Sequence, residues 1–394
     1  MKFIDVCSGI GGFRSALENN GHECLAFAEI DKYAKQSYRV IYDTEGEDEL
    51  DDITAITDEH FRLYRGQCDI ITGGFPCQAF SIAGNRRGFD DTRGTIFFHI
   101  ARAIKEIQPS YVLLENVKGL FSHDKGRTFG TIIQALDELG YVTEWGLFNS
   151  KYWGVPQNRE RVYILVTRKD KFKGPVLFDL LKQQTEVTTR LIDVLEDEVD
   201  EKYYLSDEKT KKLTLDTNLG GKLNMYDYNE RDKVHSVNKV SPTLNTMQGG
   251  DRQPKIAVRE ATKQGYAVAE QSDSVNVSYP TSKTRRGRVD KQVAQTLQAG
   301  EVNQGVVIDD TQGYDGIRTY DGFSPTLRSS RSGLKTIEGL RIRKLTPLEC
   351  WRLQGFTDEQ FYKAKDSGVS NSQLYKQSGN AVSVPVVDAI VKCL

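Results

Sequence analysis

Five short β-prone runs, separated by glycine-bearing turns and amphipathic helical patterns, constrain this chain more than any other feature. The runs are Lys2–Cys7, Cys24–Glu29, Asp69–Thr72, Tyr111–Glu115 and Arg161–Thr167, and helical periodicity falls near Phe13–Asn20, Ile96–Ile107 and Thr128–Leu139. Apolar strands alternating with helices bury both faces of a sheet, so residues 1 to about 168 are expected to fold as an α/β, doubly wound, Rossmann-like domain. Such sheets bind ligands beyond the carboxyl ends of their strands. Cys7, Glu29, Cys77 and Glu115 all fall at expected strand ends, so they are expected to converge on one site.

Beyond Thr167 the pattern breaks into polar, glycine-containing sequence without long helical periodicity, as far as about Leu340. The expected organisation is a first domain at 1–175, a smaller, irregular, β-rich domain at 176–340, and a return segment at 341–394 that completes the first. The 394 residues, 38% of them hydrophobic, suffice for two cores. The return opens at Thr346-Pro347-Leu348-Glu349, a capping box with proline in the first turn, and closes with an apolar helix after Ser378-Gly379-Asn380-Ala381 that should pack back on the sheet.

Charge is unevenly spread. Lys209 to Lys344 holds 23 Lys and Arg against 15 Asp and Glu, so this stretch can face a polyanion, whereas Arg190 to Glu208 has 8 acids against 2 bases. The middle also repeats itself: Ser241-Pro242-Thr243-Leu244, Gln295-Thr296-Leu297 and Ser324-Pro325-Thr326-Leu327 each precede glycines at irregular spacing, as recurring loops would and a solenoid would not. The six cysteines form no Cys-x-x-Cys pair and histidines number five, so neither a zinc site nor a disulfide framework is expected, nor any metal. No run approaches the ~20 apolar residues of a membrane span, and the start reads as a strand, which points to a cytoplasmic location.

Gly73-Gly74-Phe75-Pro76-Cys77-Gln78 delivers a lone cysteine onto a loop directly after an apolar strand. It reads either as a presented nucleophile, with the glycine pair as a tight turn, or as a buried structural thiol. Asp5-Val6-Cys7-Ser8-Gly9-Ile10-Gly11-Gly12 joins the first strand to the first helix, and Glu29 follows about twenty residues on, where a carboxylate can take ribose hydroxyls. With no phosphate-cradling lysine, an adenosine-containing ligand without a pyrophosphate fits. Glu115-Asn116-Val117 sets a carboxylate at the edge that bears Cys77, and Gln157-Asn158-Arg159-Glu160-Arg161 supplies two arginines suited to a carbonyl or a phosphate.

These segments, in this order and with Gly379-Asn380 closing the series, resemble the motifs of the DNA (cytosine-5) methyltransferases of bacterial or phage type. The resemblance implies that Cys77 adds to carbon 6 of a flipped-out cytosine in double-stranded DNA, that Glu115 holds and protonates ring nitrogen 3, that Arg161 binds the oxygen at position 2 with Arg159 in support, and that Ser81 belongs to a loop closing over DNA. It implies S-adenosylmethionine as cofactor, held by Cys7, Gly9, Ile10, Gly12, Glu29, Ile30, Asp52, Ile53, Pro76, Ile96, Asn380 and Ala381. The family often has phenylalanine where Cys7 stands, so Cys7 is expected to pack beside the adenine without chemistry. The middle would be a target recognition domain, with DNA contacts from Thr243, Thr296, Thr326, Arg252, Arg285, Arg286, Arg328 and Arg331. A monomer is implied, associated with the nucleoid through DNA, with any cognate restriction endonuclease acting separately. Alternatives are a tRNA cytosine-5 methyltransferase, which would need less sequence-reading apparatus than this middle, and a catalytically silent DNA-binding relative.

Overall fold

The structure, a computed structural model, describes residues 1–76, 95–184, 189–206, 255–262, 265–270, 272–279, 282, 284–296, 304–309 and 340–394. Cys77, Ser81, Thr243, Arg252, Thr326, Arg328 and Arg331 lie outside the described residues.

By contact the chain divides into two units, the first comprising Met1–Arg190, Thr296–Glu301 and Pro347–Leu394 and the second Leu191–Gln295 and Val302–Thr346. In the first, β1 (Lys2–Val6), β2 (Glu23–Ala28), β3 (Asp48–Glu49), β4 (Ile70–Gly74), β5 (Tyr111–Val117), β6 (Tyr141–Asn149) and β7 (Glu160–Arg168) form one seven-stranded sheet ordered β3-β2-β1-β4-β5-β7-β6. Strands β1 to β5 pair in parallel, and β7 runs antiparallel to both β5 and β6. The chain builds outward from β1 to β3 and then from β4 on β1's other side, so the crevice between β1 and β4 is the topological switch point.

Residue alternation assigns the two faces. Phe3, Ile70, Leu113 and Leu165 point into one core together with Phe13 and Leu17 of α1 (Gly12–Asn19) and Tyr38 and Ile41 of α2 (Lys32–Ile41). Ile4, Ile71, Leu114 and Ile164 point into the other, against Phe97 and Ile104 of α4 (Ile96–Ile107) and Ile132 and Leu136 of α5 (Arg127–Glu138). The short helices α3 (Asp58–Arg62) and α6 (Leu177–Leu181) add Phe61 to the second core and Leu177 and Leu180 to the first. The return supplies α7 (Pro347–Arg352), α8 (Asp358–Asp366), α9 (Asn371–Asn380) and α10 (Val384–Val391), whose Trp351, Phe361, Leu374, Val387 and Ile390 complete the first core. A full side chain of this kind contributes about 1.5–3 kcal/mol when buried, so the return is structural to the sheet it covers.

Three local expectations need correction. The Gly73-Gly74 pair is not a turn but the end of β4, and a Cβ on Gly73 would lie 2.6 Å from Val6 Cγ2 and 2.8 Å from the Val6 carbonyl oxygen. Close approach of β1, not a positive φ, demands glycine there. Glu115 does not end its strand, because β7 keeps pairing with β5 as far as Val117 opposite Arg161. Cys7 has left β1 and sits in the left-handed region at φ 51°.

In the second unit, β8 (Lys255–Arg259) pairs antiparallel with β9 (Tyr266–Glu270), and β10 (Ser274–Asn276), β11 (Val289–Asp290), β12 (Gln304–Asp309) and β13 (Leu340–Lys344) form a sheet ordered β11-β10-β12-β13. Val258, Ala269, Val275, Val307 and Ile342 make its small core.

Candidate active site

The β1–α1 turn is shaped by three left-handed residues, Cys7, Gly9 and Gly11 at φ 51°, 58° and 81°. Glu29, just past β2, clasps that turn: one carboxylate oxygen accepts from the Gly9 amide at 2.8 Å and the other from the Asp31 amide at 2.8 Å. Each oxygen keeps a further lone pair for a hydroxyl. Among the described residues nothing lies within 4 Å of the place a Gly9 side chain would take, while Ile30 beside Glu29 is 72% exposed and Ile53 is buried after the Asp52 cap, whose carboxylate accepts from the Thr54 amide. An open glycine backbone, an anchored carboxylate and an uncovered aliphatic side chain make a cradle that fits an adenosine-bearing cofactor.

Burial pushes the Cys7 thiol up to about 12, with Glu29 and Asp5 adding to the effect, so it stays protonated and chemically quiet. Asp5 is fully buried on β1, accepts from the Thr72 hydroxyl at 3.0 Å and leaves its second oxygen without a partner; burial holds its carboxyl well above the usual range against the Thr72 bond.

At the other side of the switch point, Glu115 pairs in register with Gly74, and its Oε2 lies 3.6 Å from where a Gly74 side chain would begin. Its Oε1 meets Arg161 Nε at 3.0 Å. Burial raises the Glu115 carboxyl above its ordinary value, and Arg161 and then Arg159 oppose the rise. Arg159 is buried and donates to the carbonyls of Gly379 at 3.3 Å and Ala381 at 2.7 Å; burial and Arg161 lower it to about 10. Asn116, missed as a site residue, donates to the Phe75 carbonyl at 2.7 Å and so fixes the chain two residues before Cys77. Val382 was also missed: its methyls lie 3.9 Å from the Gly74 position and 2.6 Å from the Gly12 position, placing it between the first turn and the end of β4. Only its place beside Asn380-Ala381 signalled it.

The structure therefore brings Cys7, Gly9, Gly12 and Glu29 together in the first turn, and Glu115, Arg159, Arg161 and Ala381 together beyond β4 and β5. Pro76 and Asn380 are exposed, Asp52 and Ile96 half-buried, and Ile10 lies in the first core. Thr296 commits its hydroxyl to the Asn158 carbonyl at 3.1 Å. In the second unit Arg286 donates to the Ala261 carbonyl at 2.9 Å, and the Arg285 carbonyl accepts from the Ala261 amide.

This order of strands, with its antiparallel β7, is that of a Rossmann-like methyltransferase. A model of the C-5 cytosine-specific DNA methylase family matches residues 1–394, and the chain belongs to that family. It is 37% identical to the orphan methyltransferase M.SPRI of Bacillus phage SPR over 100% of this chain and 97% of the relative, and 31% identical to the type II methyltransferase M.BanI of Aneurinibacillus aneurinilyticus, over 100% and 95%. Among solved structures, Schizosaccharomyces (S. pombe) Dnmt2 methyltransferase superposes with TM-score 0.57 at 18% identity, covering 100% of this chain and 97% of that one. A putative DNA modification methyltransferase from an E. coli prophage gives 0.56 at 18%, covering 100% and 98%. No described helix is long and apolar enough to cross a membrane.

Proposed function

We propose that this DNA cytosine-5 methyltransferase takes its methyl group from S-adenosylmethionine and works through a covalent Cys77 adduct on a cytosine turned out of the duplex. The observation that carries this reading is the buried Glu115–Arg161 pair, backed by Arg159, in register with Gly74 and three residues before Cys77. Glu115, its carboxyl raised by burial, takes up a proton more readily than a free carboxylate and can deliver it to ring nitrogen 3, and Arg161 carries donors for the neighbouring carbonyl oxygen. Withdrawing electrons there makes carbon 6 electrophilic toward the Cys77 thiolate. The new S–C6 bond makes carbon 5 the nucleophile that would take the methyl group, leaving the cofactor as the neutral thioether S-adenosylhomocysteine; loss of the carbon 5 proton to a base then expels the thiolate, returns the ring nitrogen 3 proton to Glu115 and frees Cys77. Gly9, Glu29, Ile30, Ile53 and Asn380 would hold the cofactor, whose sulfonium supplies an electrophilic methyl.

The likeness to a phage orphan methyltransferase supports a chain that acts without a paired endonuclease. The second unit, whose sequence range includes Thr243, Arg252, Thr326, Arg328 and Arg331, is read as the target recognition domain.

DNA synthesised with 5-fluorocytosine in place of cytosine tests the chemistry without knowledge of the target, since fluorine blocks the final elimination. With S-adenosylmethionine present, a denaturing gel should show protein covalently joined to DNA, and Cys77→Ser should not. Absence of the adduct, or an adduct that survives Cys77→Ser, overturns the assignment.

A further inference from the structure

The second unit holds one side chain in a posture that its own stability does not call for. Tyr279 is 76% exposed, the most exposed large hydrophobic among the described residues, and its backbone sits in the left-handed region at φ 47°. A bulky residue seldom adopts that conformation, where glycine or asparagine would be at ease. It is held there by Arg288, a fully buried arginine whose guanidinium donates to three carbonyls of one segment: those of Asn276 at 2.9 Å, Ser278 at 2.9 Å and Tyr279 at 2.7 Å. The Arg288 amide is itself fixed by Glu260 at 2.5 Å, and the Ser282 amide returns to the Tyr279 carbonyl at 3.0 Å. The Arg288 Nε finds no partner among the described residues. A buried cation, a strained backbone and an uncovered ring together describe a braced segment, Asn276 to Tyr279, that presents an aromatic.

The surrounding sequence states what the ring is presented to. Val277 to Arg288 carries Lys283, Arg285 and Arg286 besides the buried Arg288, and no acid, with Tyr279 near its start. A basic run with an interleaved aromatic suits a polyanion that also offers flat, apolar faces, which is the chemistry of nucleic acid.

We propose that Tyr279 is a DNA-contacting residue, its ring lying against bases or sugars of the target duplex, and that Arg288 is a positioning residue that sets the loop in shape. This rests on the reading of the second unit as the part that recognises DNA.

The test uses the full chain, sheared unmethylated genomic DNA and labelled S-adenosylmethionine. Tyr279→Gly relieves the backbone and removes the ring, so it should melt at the same temperature as the unsubstituted enzyme or higher, while KM for DNA rises roughly fivefold or more and KM for the cofactor is unchanged. Tyr279→Phe should stay within about twofold of the unsubstituted enzyme, because the ring carries the contact. In filter binding, the slope of log Kd against log salt should not change in Tyr279→Gly, since no phosphate contact is lost, whereas Arg286→Ala should lower it by about 0.9 if that side chain meets a phosphate. An unsubstituted enzyme that transfers no label to DNA would remove the underlying reading and this inference with it. Transfer with KM for DNA unaltered in Tyr279→Gly, or equal loss in Tyr279→Phe, would overturn the inference alone.

Discussion

Glu115 shows how far one buried carboxyl governs both stability and reaction. Its folded-state pKa lies above the unfolded value because burial penalises the charge more than Arg161 and Arg159 restore it. The native state therefore binds the proton more tightly than the unfolded chain does, and stability is greatest below the ordinary carboxyl value and falls as pH rises through the raised one. Glu115→Gln cannot ionise, so its unfolding free energy, followed by denaturant titration across that window, should lose this part of the decline. The same variant should lose most of its turnover while calorimetric titration shows S-adenosylmethionine binding nearly intact. Loss of cofactor affinity instead would mean that Glu115 and Glu29 do not divide the work between base and ribose.

At the scale of elements, the end of β4 is set by how closely β1 approaches it. Gly73→Ala drives a methyl toward the Val6 carbonyl oxygen as well as its side chain, and a backbone neighbour cannot swing aside. Overpacking of this kind costs about 1–3 kcal/mol, so the variant should show a lower denaturation midpoint at unchanged m-value, whereas Gly130→Ala, with nothing within 4 Å, should not lose stability. Helix α4 was legible from its periodicity, and it runs from Ile96 to Ile107 as expected, opened by the Thr95 side chain at the Phe98 amide. Strand β6 was not, since Glu144, exposed Trp145 and Gly146 interrupt any simple alternation, and its place is decided by pairing with β7 along its whole length. Helix α2 escaped for a related reason: its buried face is carried by Ala34, Ser37, Tyr38 and Ile41 amid polar neighbours. The chemistry was easier to read than the scaffold, because Glu29, Glu115, Arg159 and Arg161 each sit in or directly beside a recognisable apolar strand. Asn116 and Val382 act through contacts that only the folded chain creates.

Across the whole molecule, the first unit is made from the two ends of the sequence. Its first core takes Trp351, Phe361, Leu374, Val387 and Ile390 from the return, and Asn20 Nδ2 meets Asp388 at 2.8 Å. A chain of residues 1–340 leaves that apolar face of the sheet uncovered and is expected to lack a cooperative thermal transition. Co-expression of 341–394 as a separate polypeptide should recover part of it, with the two pieces co-purifying. A sharp transition in 1–340 alone would show that the sheet is stable without its cover.

The two hydrogen bonds from Arg159 to the carbonyls of Gly379 and Ala381 span 220 and 222 residues of sequence. A ribosome that has reached residue 370 has already made every side chain proposed to touch the base, yet the guanidinium behind them still has no carbonyls to hold. The two carbonyls that fix Arg159 thus exist only once α9 and the residue after it have been made. In genetic terms, a stop codon anywhere before α9 should behave as a null allele, with no graded series of weaker alleles toward the end of the reading frame.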